Sequence, residues 1–90
     1  MEEAKKQYLS LLSEVVAAAV IIFGSDMAIS RARSVASLVL NSNGNVVDIK
    51  GYAADAAQEL INKYLELSGQ SFKNIVDLVF AKYPQIKKVY

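Results

Sequence analysis

The most constraining feature of this sequence is a run of nine consecutive uncharged, apolar residues from Val15 to Phe23. The run is well short of the roughly 20 residues that a membrane-spanning helix needs. Three successive alanines within it disfavour a β-strand, so we predict one long helix from Glu2 to about Phe23. Because a helix that is apolar on all sides has to be covered, the rest of the domain or a partner is expected to surround it. A core helix is favoured over a secretory signal.

The overall composition favours a partner protein as one of the surfaces that cover this apolar helix. Of 90 residues, 53% are apolar and the mean hydropathy is +0.24, which is high for a small domain with much surface for its volume. We therefore predict a single helical domain (residues 1–90) that acts as a non-catalytic interaction or assembly module, as a homodimer, another homo-oligomer or a subunit of a protein complex. The predicted interface residues are Leu12, Val15, Val16, Val20, Ile21, Ile22 and Phe23. The alternative is that this helix is the centre of a monomeric four-helix core.

Glycine and proline positions divide the remainder of the chain. Gly24 is predicted to end the first helix, and Ser25 is predicted to be the N-cap of the second. Apolar residues at helical spacing indicate two further helices, separated by Gly69 and stopped by Pro84. The four predicted helices cover residues 2–23, 26–36, 52–68 and 70–83. The tail after Pro84 is expected to be a short strand or a docked arm.

The two ends of the chain share an organisation. Each contains a helix, a glycine and a second helix, and Gly24 corresponds to Gly69 at an offset of 45 positions. This pattern is compatible with either an internal duplication or a chance likeness of amphipathic helices. The predicted fold class is mainly α, a four-helix domain of two helix–Gly–helix pairs with a short central β-hairpin; α+β is the alternative.

The hairpin is predicted from the segment between residues 37 and 51. Asn43 and Gly44 separate two runs with β-propensity, and both residue types tolerate a positive φ in a tight turn. The alternative is that the second helix continues to Leu40 and is capped by Gly44. Because an isolated two-stranded hairpin is marginally stable, we expect it to pack on the helices or to pair across a dimer.

The residue types disfavour catalysis. The chain has no Cys and no His, so a thiolate zinc site, a cysteine nucleophile and a histidine general base are excluded. The serines have no evident activating base, and the asparagines around Gly44 lack the charge of a calcium loop. We predict no enzyme activity, no cofactor and no metal. The cytoplasm is the default expectation for location, and no membrane association is predicted.

The alternative function is a small nucleic-acid-binding protein. Its local basic patch would consist of Arg31, Arg33, Lys50, Lys82, Lys87 and Lys88, which would contact phosphates. The formal net charge of the whole chain is only +1, whereas nucleic-acid-binding domains usually carry a strong basic excess. Nucleic acid is therefore not the favoured partner.

Overall fold

The computed structural model describes the backbone of residues 2–90 and the side chains of residues 4–90. It contains four helices and one two-stranded sheet: α1 (Glu2–Phe23), α2 (Ser25–Arg33), β1 (Leu38–Leu40), β2 (Val46–Ile49), α3 (Ala53–Ser68) and α4 (Gln70–Ala81). This confirms the predicted mainly α fold with two helix–Gly–helix pairs and a central hairpin. The first helix α1 packs against α2, α3, α4 and the second strand β2, so it is the central element of the fold.

The junction between α1 and α2 differs from the prediction. Gly24, at φ +88°, is itself the N-cap residue of α2, and no side chain caps that helix. The prediction of Ser25 as the N-cap is therefore wrong, because the positive φ of glycine lets α2 begin one residue earlier. The helix α2 also ends at Arg33, three residues before the predicted boundary at Ala36.

The hairpin forms with a longer connection than a two-residue turn. The strands β1 and β2 are antiparallel, with Leu38 opposite Ile49, so the alternative of a helix extending to Leu40 is wrong. The Asn41 side-chain oxygen accepts hydrogen bonds from the backbone N–H groups of Asn43 (2.9 Å) and Asn45 (3.0 Å), which organises a five-residue loop.

Within this loop, one glycine adopts the left-handed backbone conformation and no asparagine does. Gly44 has a φ of +87°, whereas no non-glycine residue in the described part of the chain has a positive φ. A Cβ atom at Gly44 would lie 2.9 Å from the Ile29 Cδ1 atom. The loop therefore rests closely on α2, and both the backbone conformation and this contact favour glycine.

An aromatic cluster joins three of the helices. The ring of Phe23, at the end of α1, lies 5.9 Å from that of Tyr64 in α3 and 5.5 Å from that of Phe72 in α4. The Tyr64 and Phe72 rings pack edge to face at 5.2 Å, a favourable geometry. The buried Tyr64 hydroxyl donates a 2.7 Å hydrogen bond to the Ala28 carbonyl of α2, and burial raises the pKa of this hydroxyl.

The segment after Pro84 is a docked arm without a strand. Ile86 is buried in the core, and the Tyr90 ring packs edge to face on Phe80 at 5.3 Å. Two carboxylates hold this arm and the end of α4. Glu14 of α1 accepts a hydrogen bond from the Tyr83 hydroxyl and a 2.9 Å bond from the Lys82 ammonium.

The second carboxylate is Asp77 of α4. It accepts a hydrogen bond from the Tyr90 hydroxyl and lies 3.3 Å from the Lys88 ammonium. The tyrosine hydrogen bonds, and then the lysine contacts, lower the pKa values of Glu14 and Asp77. Glu14 therefore holds the residues just before Pro84, and Asp77 holds the arm, most strongly in the ionised form.

Acidification is expected to loosen the arm. Glu14 and Asp77 have lowered pKa values in the folded protein, so their stabilisation is complete above the ordinary carboxyl pKa values of 4.5 and 3.8. It is lost as the pH falls through the lowered values. NMR of the Tyr90 ring protons between pH 7 and pH 2 should show their shifts moving toward those of an unpacked tyrosine.

The matched control is the double substitution Glu14→Gln and Asp77→Asn. It keeps an acceptor oxygen at each position but removes the titrating charge, so most of the pH response of the Tyr90 ring should disappear. A Tyr90 signal in the original protein that does not change across this pH range would contradict the role assigned to the two carboxylates.

Candidate interaction surface

The predicted interface on α1 is divided between the core and the surface. Leu12 and Val15 are fully buried and Val16 is 2% exposed, all within the core of the same chain. Their assignment to an intermolecular seam is corrected accordingly, because the elements of the same chain that pack against α1 cover these three side chains. Leu12 and Val15 therefore have no exposed surface that a partner could contact, and Val16 has almost none.

The last turns of α1 reach the surface. Ile21 is 86% exposed and Ile22 is 39% exposed, whereas Val20 is half-buried. Phe23 is half-buried because its ring belongs to the aromatic cluster. Of the predicted interface residues, Ile21 is therefore the most exposed.

A groove lies between Ile21 and the hairpin loop, and we call it the Ile21 groove. Its volume is about 340 Å³. The lining residues are Ser13, Val16, Ala17, Val20, Ile21, Asn43, Gly44 and Asn45. The α1 side of the groove supplies mostly apolar side chains, and the loop supplies polar groups. The groove thus joins an apolar surface to hydrogen-bonding groups, a combination found in protein interfaces.

A second depression lies on the same side of α1, where α1 meets β2, and we call it the Leu9 pocket. Its volume is about 390 Å³, and Val47, one of its lining side chains, is 49% exposed. The lining residues are Lys5, Lys6, Leu9, Val47 and Asp48. Two apolar side chains are therefore bordered by three charged ones.

Polar contacts hold the hairpin in place between these two depressions. The Ser13 hydroxyl accepts a 3.0 Å hydrogen bond from the Val46 N–H group and donates a 3.4 Å bond to the Val46 carbonyl. The Lys5 ammonium lies 2.5 Å from an Asp48 carboxylate oxygen, and this contact is the main cause of the lowered pKa of Asp48. The hairpin thus borders both the groove and the pocket, and polar contacts fix it to α1 at Ser13 and at Lys5.

Sequence reasoning missed Leu9, Ser13, Val47 and the loop as parts of this surface. Val46 and Val47 are adjacent in β2, so their side chains point to opposite faces, and Val46 is buried while Val47 is exposed. The alternation of side chains in β2 could be predicted from the sequence, but which of its two faces packs on α1 could not.

The six basic residues proposed for nucleic acid do not form a set of free cations. Lys82 and Lys88 are paired with carboxylates of the same chain, and Arg33 donates a 3.1 Å hydrogen bond to the Asn41 carbonyl. The other three, Arg31, Lys50 and Lys87, are exposed or half-buried. Within residues 4–90, no hydrogen bond or salt bridge joins the group near the hairpin (Arg31, Arg33 and Lys50) to the group near the C-terminal arm (Lys82, Lys87 and Lys88).

The length of α1 also bears on its environment. From Ala4 to Phe23 it provides 20 residues with a mean hydropathy of 1.5, long and apolar enough to cross a membrane by length and composition. The prediction that excluded a membrane span considered only the nine-residue uncharged run. A soluble core helix and a signal sequence meet the same criterion of length and hydropathy. This criterion therefore does not distinguish a membrane span from either of them.

Comparison with known proteins adds no relative. The chain matches no protein-family model, no curated protein and no solved structure.

Proposed function

We propose that this protein is a non-catalytic assembly module that self-associates through the side of α1 carrying the Ile21 groove and the Leu9 pocket. The observation that supports this proposal is the 86% exposure of Ile21 beside a groove whose α1 side is largely apolar. Covering a large aliphatic side chain contributes about 1.5–3 kcal/mol. Self-association would provide that cover.

The proposed surface extends along much of α1. Lys5 and Ile21 are 16 positions apart on one helix, which corresponds to about 24 Å at 1.5 Å per residue. The hairpin extends this strip sideways through Val47 and the loop. A standard interface buries roughly 800 Å² per partner, so a partner would have to cover both depressions together with the hairpin wall.

Substitution of Ile21 by lysine is expected to weaken self-association by about 10- to 100-fold, because the apolar contribution of this side chain is lost. Ile21 touches little of its own core, so the fold should remain intact. Sedimentation velocity across a concentration series would measure the dissociation constant, and circular dichroism would verify the helix content.

Leu78→Lys is the matched control. Leu78 is 69% exposed on α4 and lines neither the Ile21 groove nor the Leu9 pocket, so this substitution should leave association unchanged. If the unsubstituted protein is monomeric at millimolar concentration, self-association is excluded. If both variants weaken association equally, the α1 side is not its site.

Nucleic-acid binding is the second and less favoured proposal. Three of its six basic residues already have partners within the chain, and the net charge of +1 offers little general attraction for phosphates. No specific feature of the described surface raises it above the assembly function.

A further inference from the structure

The arm that follows Pro84 is held almost entirely by its side chains. Ile86 is buried, and the Tyr90 ring packs on the Phe80 ring at 5.3 Å. Within the described part of the chain, residues 85–90 make one backbone–backbone hydrogen bond, from the Ile86 N–H group to the Tyr83 carbonyl at 3.0 Å. That bond closes a turn around Pro84 and does not join the arm to another element. The arm therefore contacts the helices as a bound peptide does.

One carboxylate contact lies on each side of Pro84 along the chain. Before Pro84, the Tyr83 hydroxyl donates a hydrogen bond to Glu14 of α1. After Pro84, the Tyr90 hydroxyl donates a hydrogen bond to Asp77 of α4. Because the first contact does not involve residues 85–90, the arm can leave its position while the end of α4 stays attached to α1.

The balance of free energy permits this release in the folded protein. Docking covers the side chain of Ile86 and part of the side chain of Tyr90. This apolar gain is opposed by the conformational entropy of the six residues that docking orders. Since the two contributions are of the same order, opening of the arm costs less free energy than global unfolding. The surface beneath the arm is therefore accessible while the four helices remain folded.

We propose that this surface is a peptide-binding site and that the arm is its intramolecular ligand. The site, which we call the arm seat, consists of Gln7 of α1 and of Asp77 and Phe80 of α4. None of these residues lines the Ile21 groove or the Leu9 pocket. The proposal therefore goes beyond the self-association proposed above and does not depend on it.

The arm seat defines the chemistry of a partner segment. Phe80 presents a ring to an aromatic side chain, and Asp77 accepts a hydroxyl group and an ammonium group. Gln7 donates a 2.8 Å amide hydrogen bond to Gln85. A fitting segment has an aliphatic residue at the position of Ile86, a basic residue two positions later and a tyrosine four positions later. The Asp77 carboxylate would repel an acidic segment.

Displacement of the arm by a synthetic copy tests this proposal on the original protein. The probe is an unlabelled peptide of residues 84–90, added to the isotopically labelled full chain. The effective concentration of a segment on a short tether is on the order of millimolar, so peptide in this range should compete with the arm. NMR should then show the Tyr90 ring protons of the protein moving toward the shifts of an unpacked tyrosine. A peptide with the same residues in scrambled order should cause no such change.

Weakening the arm within the full chain should open the seat. The double substitution Ile86→Asp and Tyr90→Ala removes both docked side chains, so a fluorescent peptide of residues 84–90 should bind this variant at least tenfold more tightly than the original protein. The reason is that a competing arm lowers the apparent affinity in proportion to the open fraction. Fluorescence polarisation measures the affinity, and circular dichroism verifies the helix content. If the folded variant does not bind the peptide, the proposal is overturned; if the variant does not fold, the displacement experiment decides.

A charge exchange tests where the peptide binds. In the arm-weakened variant, Asp77→Lys should lower the affinity for the peptide by about tenfold, because an ion pair and a hydrogen bond are lost. A peptide carrying Lys88→Glu should recover most of that loss. The control is Glu59→Lys, an exposed charge reversal on α3, which should leave binding unchanged. If the Asp77→Lys variant binds both peptides equally, the peptide occupies another surface and the assignment of the arm seat is wrong.

Discussion

Replacing Phe72 with alanine is expected to lower the free energy of unfolding by about 3–5 kcal/mol. Phe72 is fully buried, and its ring packs against both Phe23 and Tyr64. Its removal would leave a cavity where α1, α3 and α4 meet. Because small domains have total stabilities of about 5–15 kcal/mol, this single change would consume much of the total. Urea denaturation followed by circular dichroism would measure the difference.

The same helix supplies the control for that experiment. Leu78 lies six residues later in α4 and is 69% exposed, so Leu78→Ala should change the free energy of unfolding by less than about 0.5 kcal/mol. Comparable losses from Phe72→Ala and Leu78→Ala would show that the aromatic cluster does not stabilise the fold as described.

Replacing Leu12 with alanine is expected to lower the free energy of unfolding by about 2–5 kcal/mol. Leu12 is fully buried, although it belongs to the segment that sequence reasoning assigned to an intermolecular seam. A core residue should destabilise the monomer itself. The loss should therefore persist when the protein is diluted below the dissociation constant of the proposed self-association, a regime in which interface contributions disappear.

Thermal denaturation at several protein concentrations would make this distinction. Ile21→Ala is the matched substitution on the same helix, and its effect on the melting temperature should shrink as the protein is diluted. If the effect of Leu12→Ala also vanished on dilution, Leu12 would be an interface residue and its placement in the core would be wrong.

Much of the architecture follows from local signals. Gly24 and Gly69 separate the helices where they were expected, because both adopt positive φ values that other residues rarely tolerate. The apolar face predicted on α3 is largely buried in the structure, including Leu60, Ile61 and Tyr64. Helix boundaries and faces of this kind depend on neighbours within a few positions, so a single sequence contains most of the information.

Contacts between distant positions were less predictable. Asn41 organises the hairpin loop by accepting two backbone hydrogen bonds, which lengthens the connection beyond an Asn-Gly turn. Ser13 binds Val46 across 33 positions, and nothing in the residues around either one indicates the partner. The hairpin was predictable from β-propensity, but its attachment to α1 required the folded chain.

The apolar run of α1 shows the same limit in the candidate site. Sequence alone identified a helix that needed cover on all sides, but it did not show which sides the domain itself supplies. Val15 faces inward while Ile21 faces outward, and helical periodicity cannot distinguish them within a run in which every position is apolar. The identity of the outward side depends on where the hairpin and α4 pack.

The aromatic cluster also makes the protein its own optical probe. The chain contains no tryptophan, so ring signals in the near ultraviolet come from tyrosine and phenylalanine alone. Tyr64 is held in an asymmetric environment by two neighbouring rings and one hydrogen bond. Phe23 lies two positions after Ile21 and packs on Tyr64. A change in structure at the exposed end of α1 is therefore expected to alter the near-ultraviolet signal of Tyr64. Events at that surface are therefore open to spectroscopic observation without an attached dye.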